Sequence, residues 1–299
     1  MISLLTRGAK LLAEAEDTCQ MLSRANVHED DGLRVIPLRS PTLPPAQHTN
    51  MCWVGRDKCW IVDPAAHTSE ERARALALID AAADERTFEG VLLTHHHRDH
   101  VGSAALLSEH LQVPVAAHRI TADLLKGQLA VDRLLEEGDV IVGGPEEDDR
   151  WHVLHTPGHA SGHIVLWEPV RRWMIGGDMM AATGTIVIEP PDGHMSTYLA
   201  QLDRLAGLRP DRFVPAHGAV IEDPVERLAF YQSHRLKREA RVRGSLRSEL
   251  EPLRAITERS YPELDRALLP LADRSCLAHL IRLEELGEAT RDGERWSAR

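Results

Sequence analysis

Short apolar runs broken by turn residues dominate the first two thirds of the chain. Val35–Leu38, Asn50–Val54 and Cys59–Val62 read as strands, with Arg56-Asp57-Lys58 as a hairpin tip. Thr68 followed three residues later by Glu71 predicts a capping box, and Leu76, Ile79 and Ala83 then recur at helical spacing. Phe88–Thr94 predicts a buried strand, Ser103–Leu111 a helix, Val113–Ala117 a strand and Thr121–Lys126 a short helix. Asp139–Val142, Trp151–His155, Ile164–Trp167, Trp173–Ile175 and Phe213–Val214 add strands, and Tyr198–Gly207 adds a helix. This is a mixed α/β pattern that lacks the strict βαβ period of a doubly wound fold.

After Pro224 the pattern turns helical. Val225–Val242, Leu246–Ala255, Pro262–Leu268 and Ser275–Leu286 read as helices. Asp292-Gly293 is a type I′ hairpin signal between the arms Ala289–Arg291 and Glu294–Trp296. Three helices and a hairpin are the order of a winged helix. The expected organisation is a lead-in over 1–32, an α/β catalytic domain over 33–234, and a helical linker with a winged-helix domain over 235–299.

Composition narrows the class. At 299 residues, 43% hydrophobic and 27% charged, the chain is long enough for a large core without disulfides. Its cysteines, at 19, 52, 59 and 276, form no C-x-x-C pair, so a zinc ribbon and a thioredoxin-type site are excluded. Free thiols are expected. The formal net charge is −11. Residues 1–230 carry 21 Lys and Arg against 34 Asp and Glu, a balance of −13, and 231–299 carry 14 against 12. The larger part should repel polyanions weakly. Arg7, Lys10, Glu14, Glu16 and Asp17 interrupt the N-terminal apolar run, which does not read as a signal peptide. No run of about 18 apolar residues occurs. A cytoplasmic protein with no membrane partner is expected.

The chemistry concentrates in V-L-L-T-H-H-H-R-D-H-V-G, residues 91–102. His95, His97, Asp99 and His100 fall within six positions directly after a buried strand. Imidazole and carboxylate together suit zinc, and also iron or manganese. His96 alternates with these candidates and is expected to point away. Three further segments repeat one design, an apolar strand and then a ligand-type residue beside Gly or Pro. They place His159 in H-T-P-G-H-A-S-G-H, Asp178 in I-G-G-D-M and His217 in V-P-A-H-G. His163 is expected to orient a ligating imidazole. His118, His155 and His194 read as structural or exposed, and Trp296 as a packing residue.

These segments resemble the metallo-β-lactamase superfamily in its glyoxalase II-like form, and within it the β-lactamase-like protein 2 group. G-D followed by G-T-x-V, Y-L-x-Q-L-x-R-L, P-A-H-G-x-V-I, the F-Y-Q-S-H-R helix and the terminal A-H-L-x-x-L-E-E-L-G also match, over roughly residues 33–299. Ser161-Gly162 and His194 depart from the group's pattern, and both are expected near the substrate mouth. The resemblance implies a four-layer αβ/βα sandwich followed by a small winged helix. It implies two divalent metal ions, zinc foremost. His95, His97 and His159 would hold one, Asp99, His100 and His217 the other, and Asp178 would bridge them. Asp99 and Asp178 would then be catalytic, since two such ions can share a hydroxide at neutral pH.

The acidic catalytic region favours a small thioester, ester or lactone as substrate. A single-strand-directed endoribonuclease is the alternative, supported by the resembling group and by the basic tract His234–Arg243. A third reading is a nucleic-acid-binding protein whose metal domain senses a ligand. A single-iron persulfide dioxygenase would need fewer ligands than these seven. The winged helix reads as a packing or homodimerisation element, because Glu284 and Glu285 offset Arg282, and Asp273 sits beside Arg274.

Overall fold

The structure, a computed structural model, describes residues 28–299. The N-terminal segment and Cys19 therefore lie outside the described residues. Two sheets face each other between helical layers. The first runs β1 (His28–Asp30), β2 (Leu33–Arg39), β3 (His48–Val54), β4 (Lys58–Val62), β5 (Thr87–Leu93), β6 (Val115–His118) and β7 (Arg133–Leu135) in spatial as in chain order. The second contains β8 (Val140–Val142), β9 (Arg150–His155), β10 (Ile164–Glu168), β11 (Trp173–Ile175) and β12 (Arg212–Val214). Helices α1 (Ser69–Ala82), α2 (Arg98–Val101), α3 (Ala104–Leu111) and α4 (Arg119–Leu124) lie within the first half. Helices α5 (Met195–Gly207) and α6 (Pro224–Gly244) flank the second sheet.

Strand after strand alternates between two cores. Met51, Trp53, Ile61, Val91 and Leu93 pack against Ala75, Ile79 and Leu107 of α1 and α3. Their neighbours Cys52, Val54, Trp60, Val62 and Leu92 meet Trp151, Val153, Ile164, Leu166 and Ile175 of the facing sheet. On that sheet's far side Val165, Trp167, Met174 and Phe213 pack against Tyr198 and Leu202 of α5 and Leu228 and Tyr231 of α6. Both faces of each sheet are covered, which is why the strands read as near-continuous apolar runs. The result is the four-layer αβ/βα sandwich.

Thr68 caps α1 by accepting from the Glu71 N–H at 3.2 Å. The return half of the expected box is diverted: the Glu71 carboxylate accepts from the Arg39 N–H and pairs with Arg74, tying α1 to the end of β2.

The C-terminal region is built on α7 (Leu253–Ser260), α8 (Leu269–Glu285), and a three-stranded sheet of β13 (Glu251–Pro252), β14 (Ala289–Asp292) and β15 (Arg295–Ala298). The helix expected over Leu246–Ala255 is displaced. Pro252 cannot continue a helix, so Glu251-Pro252 pairs with Trp296 and Arg295 instead, and α7 starts one residue later. Of the expected helix Pro262–Leu268 only the 3-10 turn Arg266–Leu268 forms, and α8 begins early, with Pro270 in its first turn. Val242, Ile256, Cys276, Leu280, Leu283, Ala289 and Trp296 make a separate small core. Helix α6 runs unbroken through position 235. It supplies Leu228 and Tyr231 to the larger core and Val242 to the smaller. Cys52, Cys59 and Cys276 are free and buried, and burial pushes each thiol pKa up. No described helix is long and apolar enough to cross a membrane.

Candidate metal centre

Five strands deliver functional residues to one edge of the sandwich. In the first sheet β4 and β5 are parallel; in the second β9, β11 and β12 share a direction. Their C-terminal ends lead into Asp63, Thr94-His95, His159, Asp178 and His217. His97 is the N-cap residue of the four-residue α2, which carries Asp99 and His100.

The seven residues singled out from sequence come together. His95, His97 and His159 place one ring nitrogen each within 4.8 Å of one another, and so do the donor atoms of Asp99, His100 and His217. In the first trio the His97 Nδ1 lies 3.0 Å from both His95 Nε2 and His159 Nε2. Asp178 sits between the trios. One of its oxygens is 3.4 Å from His159 Nε2; the other is 3.3 Å from His217 Nε2 and 3.7 Å from His100 Nε2. His217 Nε2 is also 3.6 Å from an Asp99 oxygen.

The outer nitrogens explain why the inner ones converge. His159 Nδ1 donates to the Val187 carbonyl and His217 Nδ1 to the His48 carbonyl, each at 2.8 Å. His100 Nδ1 donates to Asp63 at 2.8 Å, and His95 Nδ1 lies 3.1 Å from Thr94 Oγ1, whose own proton goes to Asp63. With the outer proton fixed, the neutral form of each ring turns its Nε2 lone pair inward. His100 Nε2 and Asp178 Oδ1 are buried without a hydrogen-bond partner. Imidazole nitrogens and a carboxylate that converge in a buried cluster fit divalent metal ions.

The electrostatics divide the donors: burial keeps the first trio neutral, whereas the imidazoles beside Asp63 and Asp178 favour a positive charge, which a metal cation would replace. Burial, reinforced by the surrounding imidazoles, holds His95 neutral, and burial first also pushes His97 down to about 3 and lowers His159. Burial disfavours charge on His100 too, but Asp63 and Asp178 outweigh it and raise its pKa well above the usual range. Asp178 raises His217 against the same opposition. Burial alone would raise the Asp178 pKa, yet His217 and His100 hold it well below the usual carboxylate range.

His163 is buried. Its Nε2 accepts the Asp178 N–H at 3.0 Å, and its Nδ1 lies 2.8 Å from Thr156 Oγ1. Its hydrogen bonds thus go to the Asp178 backbone and Thr156 and not to an imidazole as expected, while its ring lies 5.2 Å from that of His95 between centroids. Gly177 makes the approach possible: its φ is +48°, and a Cβ there would lie 2.5 Å from His163 Nε2.

Four supports were not singled out from sequence: Asp63, Thr94, Thr156 and Asn50. Asn50 holds the His217 loop through the Pro215 and Gly218 carbonyls, both at 2.8 Å. Asp63 alone carried a signal. It follows β4 directly and precedes Pro64, the same design that marked the other segments.

His96 does not simply point away. It lines the cleft with Asp192, which receives hydrogen bonds from the Ser161 backbone and hydroxyl. His194, expected near the substrate mouth, caps α5 and lies 2.6 Å from Glu285 of α8. His118 caps α4 and stacks on His155 with 4.0 Å between ring centroids. Arg274 reaches Glu189 at 2.8 Å, and Asp273 pairs with Arg254.

The cluster opens into a cleft of about 420 Å³. Pro41–Ala46 form one side and Thr183–Asp192 contribute another. Among the described residues no Lys or Arg lines it, whereas Asp99, Asp178, Glu189 and Asp192 do.

Fold and cluster together define a sandwich hydrolase with a His/Asp site for divalent metal ions. The Metallo-beta-lactamase superfamily profile matches residues 45–217, more than half of the chain, which belongs to that superfamily. The Beta-lactamase associated winged helix domain matches residues 253–296. A Beta-lactamase-like protein 2 homolog of Drosophila melanogaster is 28% identical over 223 residues, 69% of this chain and 71% of that one. A Hydroxyacylglutathione hydrolase of Pectobacterium carotovorum is 33% identical over 145 residues, covering 47% of this chain and 51% of that one. A solved Beta-lactamase domain protein from Burkholderia ambifaria superposes with a TM-score of 0.78 at 22% identity, covering 91% of this chain and 93% of that one.

Proposed function

We propose that this superfamily member hydrolyses a small acyl substrate, a thioester, ester or lactone, at a dinuclear site occupied by zinc. The carrying observation is the cleft lining: a donor cluster at its floor, walls that mix apolar, threonine and acidic side chains, and no cation among the described residues. A phosphodiester chain needs cationic contacts along its path. The basic tract of α6 does not supply them at the cleft. Arg235 is buried on the Ile186 carbonyl, Arg238 stacks on Tyr261, and Arg243 pairs with Glu288. The relative named Hydroxyacylglutathione hydrolase supports acyl hydrolysis.

Two divalent ions would supply an activated water at neutral pH and a Lewis acid for the scissile carbonyl. His95, His97 and His159 would hold one ion and Asp99, His100 and His217 the other, with Asp178 facing both. Asp99 lines the cleft, where it would orient the hydroxide. Five of the seven donors are shielded, His95 and His100 fully and His159, Asp178 and His217 nearly so, while His97 and Asp99 are half-buried at the cleft.

The test joins elemental analysis of purified protein with turnover of an acyl panel and of fluorescent single-stranded RNA across salt concentrations. Two ions per chain are expected, with acyl turnover that changes less than about threefold between low and physiological salt. Efficient, steeply salt-dependent RNA cleavage without acyl hydrolysis would overturn the substrate class. A single iron would overturn the dinuclear zinc site.

A further inference from the structure

Leu271 is the one residue of the winged-helix unit among the described residues lining the cleft. It lies in the first turn of α8, is half-buried, and belongs to neither the sandwich cores nor the small C-terminal core. Its place is nevertheless fixed. One turn on, Arg274 pairs with Glu189 of the cleft wall at 2.8 Å. Further along, Ala278 is buried in the core with Tyr198 and Leu202 of α5. At the helix end Glu285 takes His194 and Ser196 as partners. The cleft mouth also contains Leu43, Pro44, Pro45 and Ile186. Leu43 is 53% exposed, an apolar side chain held open to solvent at the rim. Away from the donor cluster these apolar side chains share the wall with Thr183, Thr185, Glu189 and Asp192, and Leu271 adds an apolar contact from the winged-helix unit.

We infer that Leu271 is a specificity-determining residue, contacting an apolar substituent of a substrate whose carbonyl lies at the donor cluster. The inference rests on the acyl-hydrolase reading and adds that the winged-helix unit helps select the substrate. A methylene moved from water onto apolar surface is worth up to about 4-fold in binding. A wall that meets the substituent therefore makes kcat/KM climb with chain length.

The experiment compares wild type, Leu271→Ala, Leu271→Trp and Leu271→Met on two series. One lengthens the acyl chain from acetyl to octanoyl on a fixed leaving group; the other lengthens the leaving group on a fixed acetyl. In whichever series reaches the wall, Leu271→Ala should lose about 10-fold of the long-over-short preference while the shortest substrate stays within about twofold. Leu271→Trp should reject the longest members, and Leu271→Met should retain the wild-type profile. Tm and metal content, measured on each variant, separate a lost wall from a lost fold. Profiles parallel to wild type in both series overturn the inference. Calorimetric titration with octanoate and acetate, and with octanol and ethanol, reads the same wall without turnover. An acyl panel that is not hydrolysed sinks the hydrolase reading, whereas octanoate-to-acetate and octanol-to-ethanol affinity ratios both unchanged in Leu271→Ala sink this one.

Discussion

Asp63 Oδ2 lies 2.8 Å from His100 Nδ1, and the same carboxylate also receives the backbone N–H and the hydroxyl of Thr94. One buried side chain thus fixes the tautomer of one donor and the backbone immediately before another. Asp63→Asn should weaken metal affinity by about 10–100-fold. Its amide cannot accept all three protons, so thermal stability should fall as well. Chelator competition and calorimetry provide the check. Unchanged affinity would show that His100 is oriented by other means.

Asp178 faces both trios, so its loss should be felt by both. Asp178→Ala is expected to drop metal content below two ions per chain and to abolish most turnover. Retention of two ions with wild-type activity would refute the assignment. Asp178→Asn keeps the shape but removes the charge and exchanges one acceptor oxygen for an amide donor, and should fall between Asp178→Ala and wild type.

Glu285 offers a pH-dependent contact between the sandwich and α8. Burial works against its ionisation, yet hydrogen bonds from Ser196 and His194 hold its carboxyl below the usual range. A carboxyl lowered on folding contributes stability above its unfolded pKa, about 4.3, and loses that contribution as pH falls through the lower folded value. Wild type should therefore melt above Glu285→Gln at pH 7, with the gap closing below about pH 4. A gap that persists into stronger acid would assign the difference to packing.

Duplex DNA should bind no tighter than micromolar at physiological salt. Helix α8 is the counterpart of a recognition helix, but His279, Leu280 and Leu283 are buried, and its cations are engaged. Arg274 pairs with Glu189, and Arg282 lies 3.1 Å from Glu239. Fluorescence anisotropy across salt concentrations measures this; nanomolar, salt-sensitive binding would contradict it.

Much of the site was legible because donor residues sit in contiguous or repeated local patterns. His95, His97, Asp99 and His100 share six positions, and each remaining donor follows a strand. The supports were less visible because their partners are distant in sequence. Asp63 meets a histidine 37 positions away, and Asn50 meets Pro215 and Gly218. The contacts from the Val187 and His48 carbonyls left no trace at all, since any residue type supplies a carbonyl. Strand positions followed from apolar runs, whereas Pro252 was overridden by apparent helical spacing around it. His194 was placed by its neighbours in sequence, but its partner, Glu285, comes from the far end of the chain.

The continuity of α6 has a consequence for the order of assembly on the ribosome. Every proposed metal donor precedes residue 218. The groups that hold the Ala181–Ile186 stretch against the cleft come later, as Arg227 on the Ala181 and Ala182 carbonyls, Tyr231 on Gly184, and Arg235 on Ile186. The next carbonyl, at Val187, orients His159. During vectorial synthesis the donors emerge before the helix that sets their wall, and α8 emerges after both. A nascent chain of which only the first 220 residues have cleared the exit tunnel should expose the donor cluster without its finished cleft, and metal loading would be favoured once the remaining segment has emerged.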